Sequence, residues 1–294
     1  QIILKQLQLP TRASDMIHWK ALVERIKQPT DFVDIGIVGK YVEFEESYKS
    51  LNEALVHAGL SHRLQTKIHW IEAEGVEGEN WSNQLIQFDG ILVPGGFGKR
   101  GIAGMIRAVT FARTRQVPFF GICLGMQCSV IEFARNVCGL EEAHSSEFNP
   151  ATSHRVIYKL RELRGVDDLG GTMRLGGYPC VLESGSRTFS AYGQTEISER
   201  HRHRYELNRE YEETLVAHGM KIVGSSPDSS FAEVVEIEDH PWFVGCQFHP
   251  EFKSKPLIAH PLFKAFVEAA YANRSKRLAT DGAQTPQGIS RQVS

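Results

Sequence analysis

The first half of the chain alternates short apolar runs with segments in which apolar residues recur every three or four positions. The apolar runs predict buried strands, and the periodic segments predict helices that pack one face against them. Strands that alternate with helices indicate an α/β fold, with a mostly parallel central sheet flanked by helices on both faces. We predict strands at residues 33–38, 63–71, 88–93 and 117–122, and helices at 47–58, 101–115 and 126–137.

After residue 139 the pattern changes to shorter β-like pieces, which predict additional small β elements. These pieces occupy residues 156–160, 172–175, 179–182, 231–237 and 242–247, with helices at 208–218 and 261–273. We therefore divide the chain into an interdomain connector at 1–32, with a linker helix from Ser14, and one domain at 33–273. The remaining tail at 274–294 is polar and aperiodic, and is expected to be disordered.

Bulk composition argues against several classes of protein. The 294 residues carry a net charge of −2, with 41% hydrophobic and 23% charged residues, as in ordinary globular proteins. This charge gives no reason to expect nucleic acid or a membrane partner, and no apolar run approaches the ~20 residues that span a bilayer. The five cysteines include no CxxC pair. They indicate neither a disulfide framework nor a zinc site, and favour a reducing, cytoplasmic setting.

A glycine-flanked cysteine follows the fourth predicted strand. Gly121-Ile122-Cys123-Leu124-Gly125 lies between that strand and a helical pattern, which is the arrangement of a nucleophile elbow with cysteine in place of serine. At the N-terminus of a helix the thiolate is stabilised by the helix dipole and by free N–H groups. The alternative is a small buried hydrophobic residue in a strand–helix turn.

A second candidate for catalysis is His249-Pro250-Glu251, which follows the β-like run at 243–248. Proline holds the residue before it in an extended conformation, and residues two apart in an extended segment face the same way. Glu251 can therefore reach one ring nitrogen of His249, which is the orienting role of the acid in a catalytic triad. A surface turn is the alternative for the motif alone, but its pairing with the cysteine elbow favours a catalytic role.

The glycine-rich turn at 94–101 matches the pattern G-x-G-x-x-G. A dinucleotide site would place this pattern after the first strand, with an acidic residue ~20 positions later. Here it follows the third strand, and no Asp or Glu occurs between Asp89 and Glu132. The Gly95-Gly96 pair is instead suited to exposing backbone N–H groups, as an oxyanion hole requires.

The run Arg200-His201-Arg202-His203-Arg204-Tyr205-Glu206 allows several interpretations. A basic patch could bind nucleic acid, but the near-neutral overall charge argues against it. His201 and His203 could ligate a metal, but no neighbouring carboxylate or histidine completes the set. In a strand the three arginines would share one face, suited to a carboxylate or phosphate group. A solvated charged edge remains the alternative.

Taken together, these motifs resemble class I glutamine amidotransferases, with a flavodoxin-like fold, and more narrowly the C-terminal glutaminase domains of the bacterial CTP synthase family. The likeness covers about residues 20–272. It rests on Gly39-Lys40-Tyr41-Val42, Tyr48-Lys49-Ser50, Val93-Pro94-Gly95-Gly96-Phe97-Gly98, Gly121 to Gln127, Ser146-Glu147-Phe148, Gly171-Thr172-Met173-Arg174-Leu175-Gly176, Arg200 to Glu206 and His249-Pro250-Glu251-Phe252.

The resemblance implies a role for each matching position. Cys123 matches the nucleophile, His249 the general acid/base and Glu251 the residue that orients it. Backbone N–H groups at the positions of Gly96 and Leu124 form the oxyanion hole. The positions that hold the two ends of glutamine match Gln127, Glu147 and Arg204, and the substrate-binding set also includes Gly125 and Met126. Only the resemblance points to Glu147.

The resemblance also implies the partners. The glutaminase reaction uses no metal or other cofactor, whereas an N-terminal synthetase domain uses ATP and Mg²⁺ to aminate UTP with the released ammonia. GTP is expected as an allosteric activator, with Lys99 and Arg100 near the surface that responds to it. The full-length enzyme is expected to be a homo-oligomer without nucleic-acid or membrane partners. This chain is expected to be the glutaminase half alone.

Two other classes of protein remain as alternatives. A cysteine peptidase or γ-glutamyl hydrolase could use a similar frame, although the papain-like signature is absent. A binding module could keep the fold without turnover, although all three candidate catalytic residues, Cys123, His249 and Glu251, are present.

Overall fold

The computed structural model describes residues 2–10, 15–40, 48–78, 80–159 and 173–283, in which a nine-stranded sheet lies between helices. The strands are β1 Asp31–Gly39, β2 Leu64–Glu72, β3 Gly90–Val93, β4 Phe119–Ile122, β5 His144–Ser145, β6 Arg155–Lys159, β7 Arg174–Leu182, β8 Glu196–His203, β9 Tyr205–Leu207, β10 Met220–Ser225, β11 Ala232–Ile237 and β12 Phe243–Cys246. The helices are α1 Ile2–Gln6, α2 Ile17–Lys27, α3 Lys49–Ser61, α4 Ile102–Arg115, α5 Leu124–Asn136, α6 Arg187–Tyr192, α7 Glu212–Ala217 and α8 Pro261–Ala283.

One half of the large sheet is parallel. Its strands run in the order β2-β1-β3-β4-β12, and all four pairings are parallel. Every residue of β3, β4 and β12 is buried, because helices cover both faces. Leu92 packs in the cluster of α3 and α8, whereas Ile91 and Val93 pack in the cluster of α4 and α5. The parallel, helix-covered core predicted from the apolar runs is confirmed.

The other half of the same sheet is antiparallel. It continues from β12 through β11, β10, β7 and β8, and each of these pairings is antiparallel. The sheet is therefore mixed, and "mostly parallel" describes only the part from β2 to β12. The pieces predicted at 172–175 and 179–182 belong to the single strand β7, and residue 172 lies outside the described residues.

The smaller elements differ from the predicted ones mainly at their ends. Strands β5, β6 and β9 form a separate three-stranded sheet, which confirms the additional β elements. The helix predicted at 208–218 is a 3-10 turn at Arg209–Tyr211 followed by α7. Helix α8 continues past the expected end at 273, so the expected tail is helical as far as Ala283, and 284–294 lie outside the described residues.

The ends of the chain surround this core. Helix α2 buries only Leu22 and leaves Trp19, Val23 and Ile26 exposed. It begins at Ile17, whose N–H bonds the side chain of Asp15, whereas the predicted start at 14 lies outside the described residues. Among the helices that the structure describes, none has the length and apolar character needed to cross a lipid bilayer.

Candidate active site

The cysteine elbow is a tight turn between β4 and α5. Cys123 has a φ of 52° and a ψ of −101°, a conformation that a non-glycine residue rarely adopts. Gly121 and Gly125, which flank it, make this turn possible because they pack directly against neighbouring backbone, where a side chain would not fit. A β-carbon on Gly121 would lie 2.7 Å from the carbonyl carbon of Gly125, and one on Gly125 would lie 2.0 Å from the carbonyl oxygen of Val93. The spacing of the motif is thus a steric requirement.

The thiol of Cys123 lies at the N-terminus of α5 and is only 3% exposed. Its backbone N–H bonds the carbonyl of Cys246 at 2.7 Å, which ties the elbow to β12. The side-chain amide of Gln247 donates to the Cys123 sulfur at 3.7 Å. Gln247 was not found by sequence reasoning, because nothing in its local sequence distinguishes it.

His249 and Glu251 form the predicted pair. Nδ1 of His249 lies 2.7 Å from Oε1 of Glu251, and the His249 backbone N–H bonds the carbonyl of Arg200 at 2.7 Å. The imidazole lies beside the elbow, since a β-carbon on Gly95 would be 2.7 Å from Cε1 of His249 and 3.5 Å from Cβ of Cys123. The structure therefore brings all three predicted catalytic residues together.

The charges around His249 favour its protonated form. Burial alone would lower its pKa, but the negative charges of Cys123 and Glu251 outweigh burial and raise the pKa to about 10. At neutral pH the ring of His249 is therefore an imidazolium, placed between Cys123 and the carboxyl group of Glu251. Such a pair combines an activated nucleophile with a general acid at the same point.

The two predicted oxyanion donors lie side by side. Leu124 is the first residue of α5, so its backbone N–H has no partner within the helix. Gly96 lies against it, since a β-carbon on Gly96 would be 3.3 Å from Cδ2 of Leu124. Gly96 and Leu124 therefore both lie near Cys123, and their backbone amides remain the predicted donors to a developing oxyanion.

A cavity of about 480 Å³ opens beside the sulfur and holds most of the predicted substrate-binding residues. Its lining includes Gly96, Cys123, Gln127, Glu147 and Arg204. By contrast, the predicted Gly125 and Met126 are buried behind the elbow and do not line it.

The polar side chains of this cavity are held by neighbouring backbone. Gln127 donates to the carbonyl of Tyr205 at 3.0 Å. Glu147 accepts the N–H of Gly98 at 3.1 Å, and burial raises the pKa of its carboxyl group.

A second cavity of about 310 Å³ reaches Cys123 and His249 from the other side of the glycine turn. Tyr48, Phe97 and Arg202 contribute to its walls. Arg202 lines both cavities, so part of the basic strand face borders the catalytic centre. Arg100, in the glycine-rich turn at 94–101, forms salt bridges with Glu72 and Glu74, with N···O distances of 3.4 and 3.2 Å.

The basic run divides into two faces along β8. Arg200 and Arg202 share one face of β8, as predicted, and are exposed, as is Arg204 just after the strand, whereas His201 and His203 are buried. The imidazoles bond each other at 2.9 Å, and burial lowers the pKa of His201 to about 2 and that of His203 to about 3. Within the described ranges no group of three or more His, Cys, Asp or Glu residues could hold a metal.

Buried carboxylates meet these imidazoles from other strands. Glu206 lies 3.5 Å from His203, and Glu233 lies 3.7 Å from His201. Arg174 joins the two carboxylates, at 3.1 Å from Glu206 and 2.8 Å from Glu233. Burial raises the pKa of Glu206 to about 8, although the positive charge of Arg174 acts to lower it. These five residues, which we call the buried ion cluster, support β8 behind the cavity.

Comparison with known proteins agrees with this geometry. The family described as glutamine amidotransferase class-I matches residues 44–269. This chain belongs to that family. The resemblance inferred from the motifs is thereby confirmed.

Curated relatives and solved structures narrow the match. The chain is 64% identical over 273 residues to the CTP synthase of Acidobacterium capsulatum, covering 93% of this chain and 50% of the relative. It is 61% identical to the CTP synthase of Koribacter versatilis, covering 95% and 51%. The glutaminase domain of the Trypanosoma brucei CTPS, solved with acivicin bound, superposes with a TM-score of 0.77 at 36% identity, covering 82% of this chain and 94% of that one. The chain thus spans about half the length of the curated relatives it matches.

Proposed function

We propose that this chain hydrolyses L-glutamine to glutamate and ammonia through a thioester on Cys123. The observation that carries this proposal is the convergence of Cys123, His249 and Glu251 beside a cavity lined by Gln127 and Glu147. A cysteine in a strained elbow, next to an imidazolium and two backbone amides, is suited to acyl transfer.

The reaction proceeds in two halves. The thiolate of Cys123 attacks the γ-carbonyl carbon, and the amides of Gly96 and Leu124 stabilise the oxyanion. His249 gives its proton to the γ-nitrogen, the C–N bond breaks, and ammonia leaves a γ-glutamyl thioester. His249, now neutral, takes a proton from water. The resulting hydroxide attacks the thioester, the C–S bond breaks, and glutamate departs.

Substrate recognition follows from the charges of the cavity. Arg204 is suited to the α-carboxylate, and Glu147 is suited to the α-ammonium group. Gln127 completes the polar wall between them. The cavity of about 480 Å³ has room for one free amino acid.

The fate of the ammonia is proposed from the relatives. Because the chain covers about half of CTP synthases at up to 64% identity, we assign the synthetase step to an N-terminal domain. That domain would use ATP and Mg²⁺ to aminate UTP to CTP in the cytoplasm, with GTP as activator of the glutaminase and a homo-oligomer as the full-length form. Helix α2 is suited to a connector that packs on this N-terminal domain, because its Trp19, Val23 and Ile26 are exposed.

Glutamate release measured with this chain and with Cys123→Ala tests the proposal. Wild type should release glutamate, alone or on addition of the separately prepared synthetase half with GTP, and Cys123→Ala should lose at least about 10⁴-fold in kcat. Cys138→Ala is the matched control and should behave as wild type. Persistent activity in Cys123→Ala would overturn the mechanism. Preference for a γ-glutamyl peptide over glutamine would favour the hydrolase alternative, and inactivity under all conditions would favour the binding module.

A further inference from the structure

Lys40 is a buried lysine that the catalytic mechanism does not use. It follows the last residue of β1 and is only 1% exposed, which places it among the large, fully buried side chains of the described residues. Burial lowers the pKa of its ammonium group, while the negative charge of Glu147 acts in the opposite direction. Burying an amine is unfavourable unless its donors are satisfied, so the contacts that satisfy them are informative.

Those contacts are backbone carbonyls of the glycine turn. Nζ of Lys40 donates to the carbonyl of Phe97 at 3.3 Å and to that of Gly98. The aliphatic part of the side chain lies under the same turn, since a β-carbon on Gly96 would be 3.7 Å from Cδ of Lys40. The lysine therefore supports the segment that carries one of the two oxyanion donors.

The opposite side of the turn is held by a carboxylate. Glu147 accepts the N–H of Gly98, so Gly98 is bonded through its carbonyl by a cation and through its amide by an anion. Arg100, at the end of the turn, donates to the backbone carbonyl of Lys40. The orientation of the peptides from Gly96 to Gly98 is fixed by these contacts, because the glycines themselves restrict it little.

We propose that Lys40 is a positioning residue for glutamine hydrolysis, whose buried ammonium group holds the Phe97 and Gly98 carbonyls so that the Gly96 amide stays directed at the oxyanion. The inference rests on the proposed glutaminase function. Lys40 touches neither glutamine nor Cys123 in this role, so it should affect the transition state more than the ground state.

Lys40→Met tests this by comparing ligands that do and do not form an oxyanion. The γ-aldehyde analogue of glutamine forms a tetrahedral adduct with the thiol, whereas glutamate only occupies the cavity. We expect the variant to lose about 10- to 100-fold in aldehyde affinity and in kcat, and to change in glutamate affinity by less than about threefold. Alkylation of Cys123 by iodoacetamide forms no oxyanion and should keep the wild-type rate.

Two further variants keep the test decisive. Lys67→Met removes a lysine that lies over the Phe32 ring, far from the site, and should match wild type in every assay. Lys40→Gln is uncharged but keeps N–H donors, so its loss of aldehyde affinity should be smaller than that of Lys40→Met. If Lys40→Met does not fold, Lys40→Gln alone is compared with wild type. An unchanged ratio of aldehyde to glutamate affinity in the folded variants would overturn the role of Lys40. Absence of aldehyde binding and glutamate release in wild type would instead contradict the glutaminase function itself.

Discussion

The parallel and antiparallel halves of the large sheet contribute to the site in different ways. The parallel half carries Cys123 and the glycine turn, and it holds them by apolar packing and by glycines that allow backbone to touch backbone. The antiparallel half presents Arg202 and Arg204, and it supports them on the buried ion cluster. His249 lies between the two, at the end of β12, with its amide bonded to Arg200 of β8.

The parallel half thus carries the nucleophile, and the antiparallel half carries the arginines that we assign to substrate recognition. Contacts between apolar groups and between backbone atoms do not titrate, so the nucleophile half should keep its shape over a wide pH range. The buried ion cluster contains carboxyl groups with raised pKa values and imidazoles with lowered ones, so the recognition half should respond to pH. Each of the following substitutions acts on one half or on the junction between them.

The largest effect is expected at the junction. Glu251→Gln removes the carboxylate that, together with Cys123, raises the pKa of His249, so kcat/KM should fall by about 10²- to 10⁴-fold. The group with the raised pKa is protonated below about 10, so the alkaline decline of kcat/KM should move to lower pH in the variant. A pH profile of kcat/KM measures both changes. An unshifted alkaline limb would show that Glu251 does not set the charge of His249.

Arg174→Met should destabilise the antiparallel half. It leaves Glu206 and Glu233 buried without their cation, and the loss of one partner of a buried ion pair costs about 3–5 kcal/mol. Urea unfolding monitored by circular dichroism gives the free energy of unfolding. Lys221→Met, which removes an exposed cation from Glu238, is the control and should change it little. Equal effects of the two substitutions would contradict the importance of the cluster.

Gly125→Ala should destabilise the parallel half by overpacking. Its β-carbon would fall 2.0 Å from the Val93 carbonyl oxygen, so β3 and α5 must move apart, at about 1–3 kcal/mol. Displacement of the elbow should also slow the alkylation of Cys123. Gly75→Ala is the matched control, because no atom lies within 4 Å of its added β-carbon. A fully stable Gly125→Ala protein with unchanged alkylation would refute the steric basis of the motif.

Glu206→Gln should have the smallest effect below pH 4.5, under about 1 kcal/mol, because the wild-type carboxyl is then protonated in the folded and the unfolded chain alike. Its pKa is raised from 4.5 to about 8, so the folded state retains a proton that the unfolded state has lost between these values. The free energy of unfolding of the wild type should therefore fall as pH rises from 4.5 to about 8. The variant has no carboxyl group at this position, so its free energy of unfolding should lack this decrease. Thermal unfolding at several pH values measures it, and parallel curves for the two proteins would contradict it.

The sequence predicted the local parts of the site. Cys123, His249 and Glu251 were found because strand–turn–helix geometry and the spacing of two residues act within a few positions. Glu147 was identified only by resemblance, and Lys40 was named only as part of a family motif. Their partners are Gly98 and the Phe97 carbonyl, which are distant in sequence, so no local pattern could connect them.

The remaining differences also have long-range causes. His201 and His203 resembled part of a charged surface run, but both are buried, beside Glu206 and Glu233 of other strands. Residues 274–283 are polar and aperiodic, yet they are helical, and Arg277 among them pairs with the buried Asp89 at 2.7 Å. The antiparallel pairing of β7, β8, β10 and β11 likewise depends on which strands meet, which apolar alternation does not specify.

Direct detection of the acyl-enzyme tests the central claim. The chain is mixed with isotopically labelled glutamine and quenched in acid within the first turnover, if necessary with the synthetase half and GTP present, and its peptides are mapped by mass spectrometry. We predict a γ-glutamyl adduct on the peptide that contains Cys123 and on no other cysteine peptide, with Cys128 protected because burial raises the pKa of its thiol to about 12. Release of glutamate without this adduct, or an adduct at another cysteine, would contradict catalysis by the Cys123 elbow.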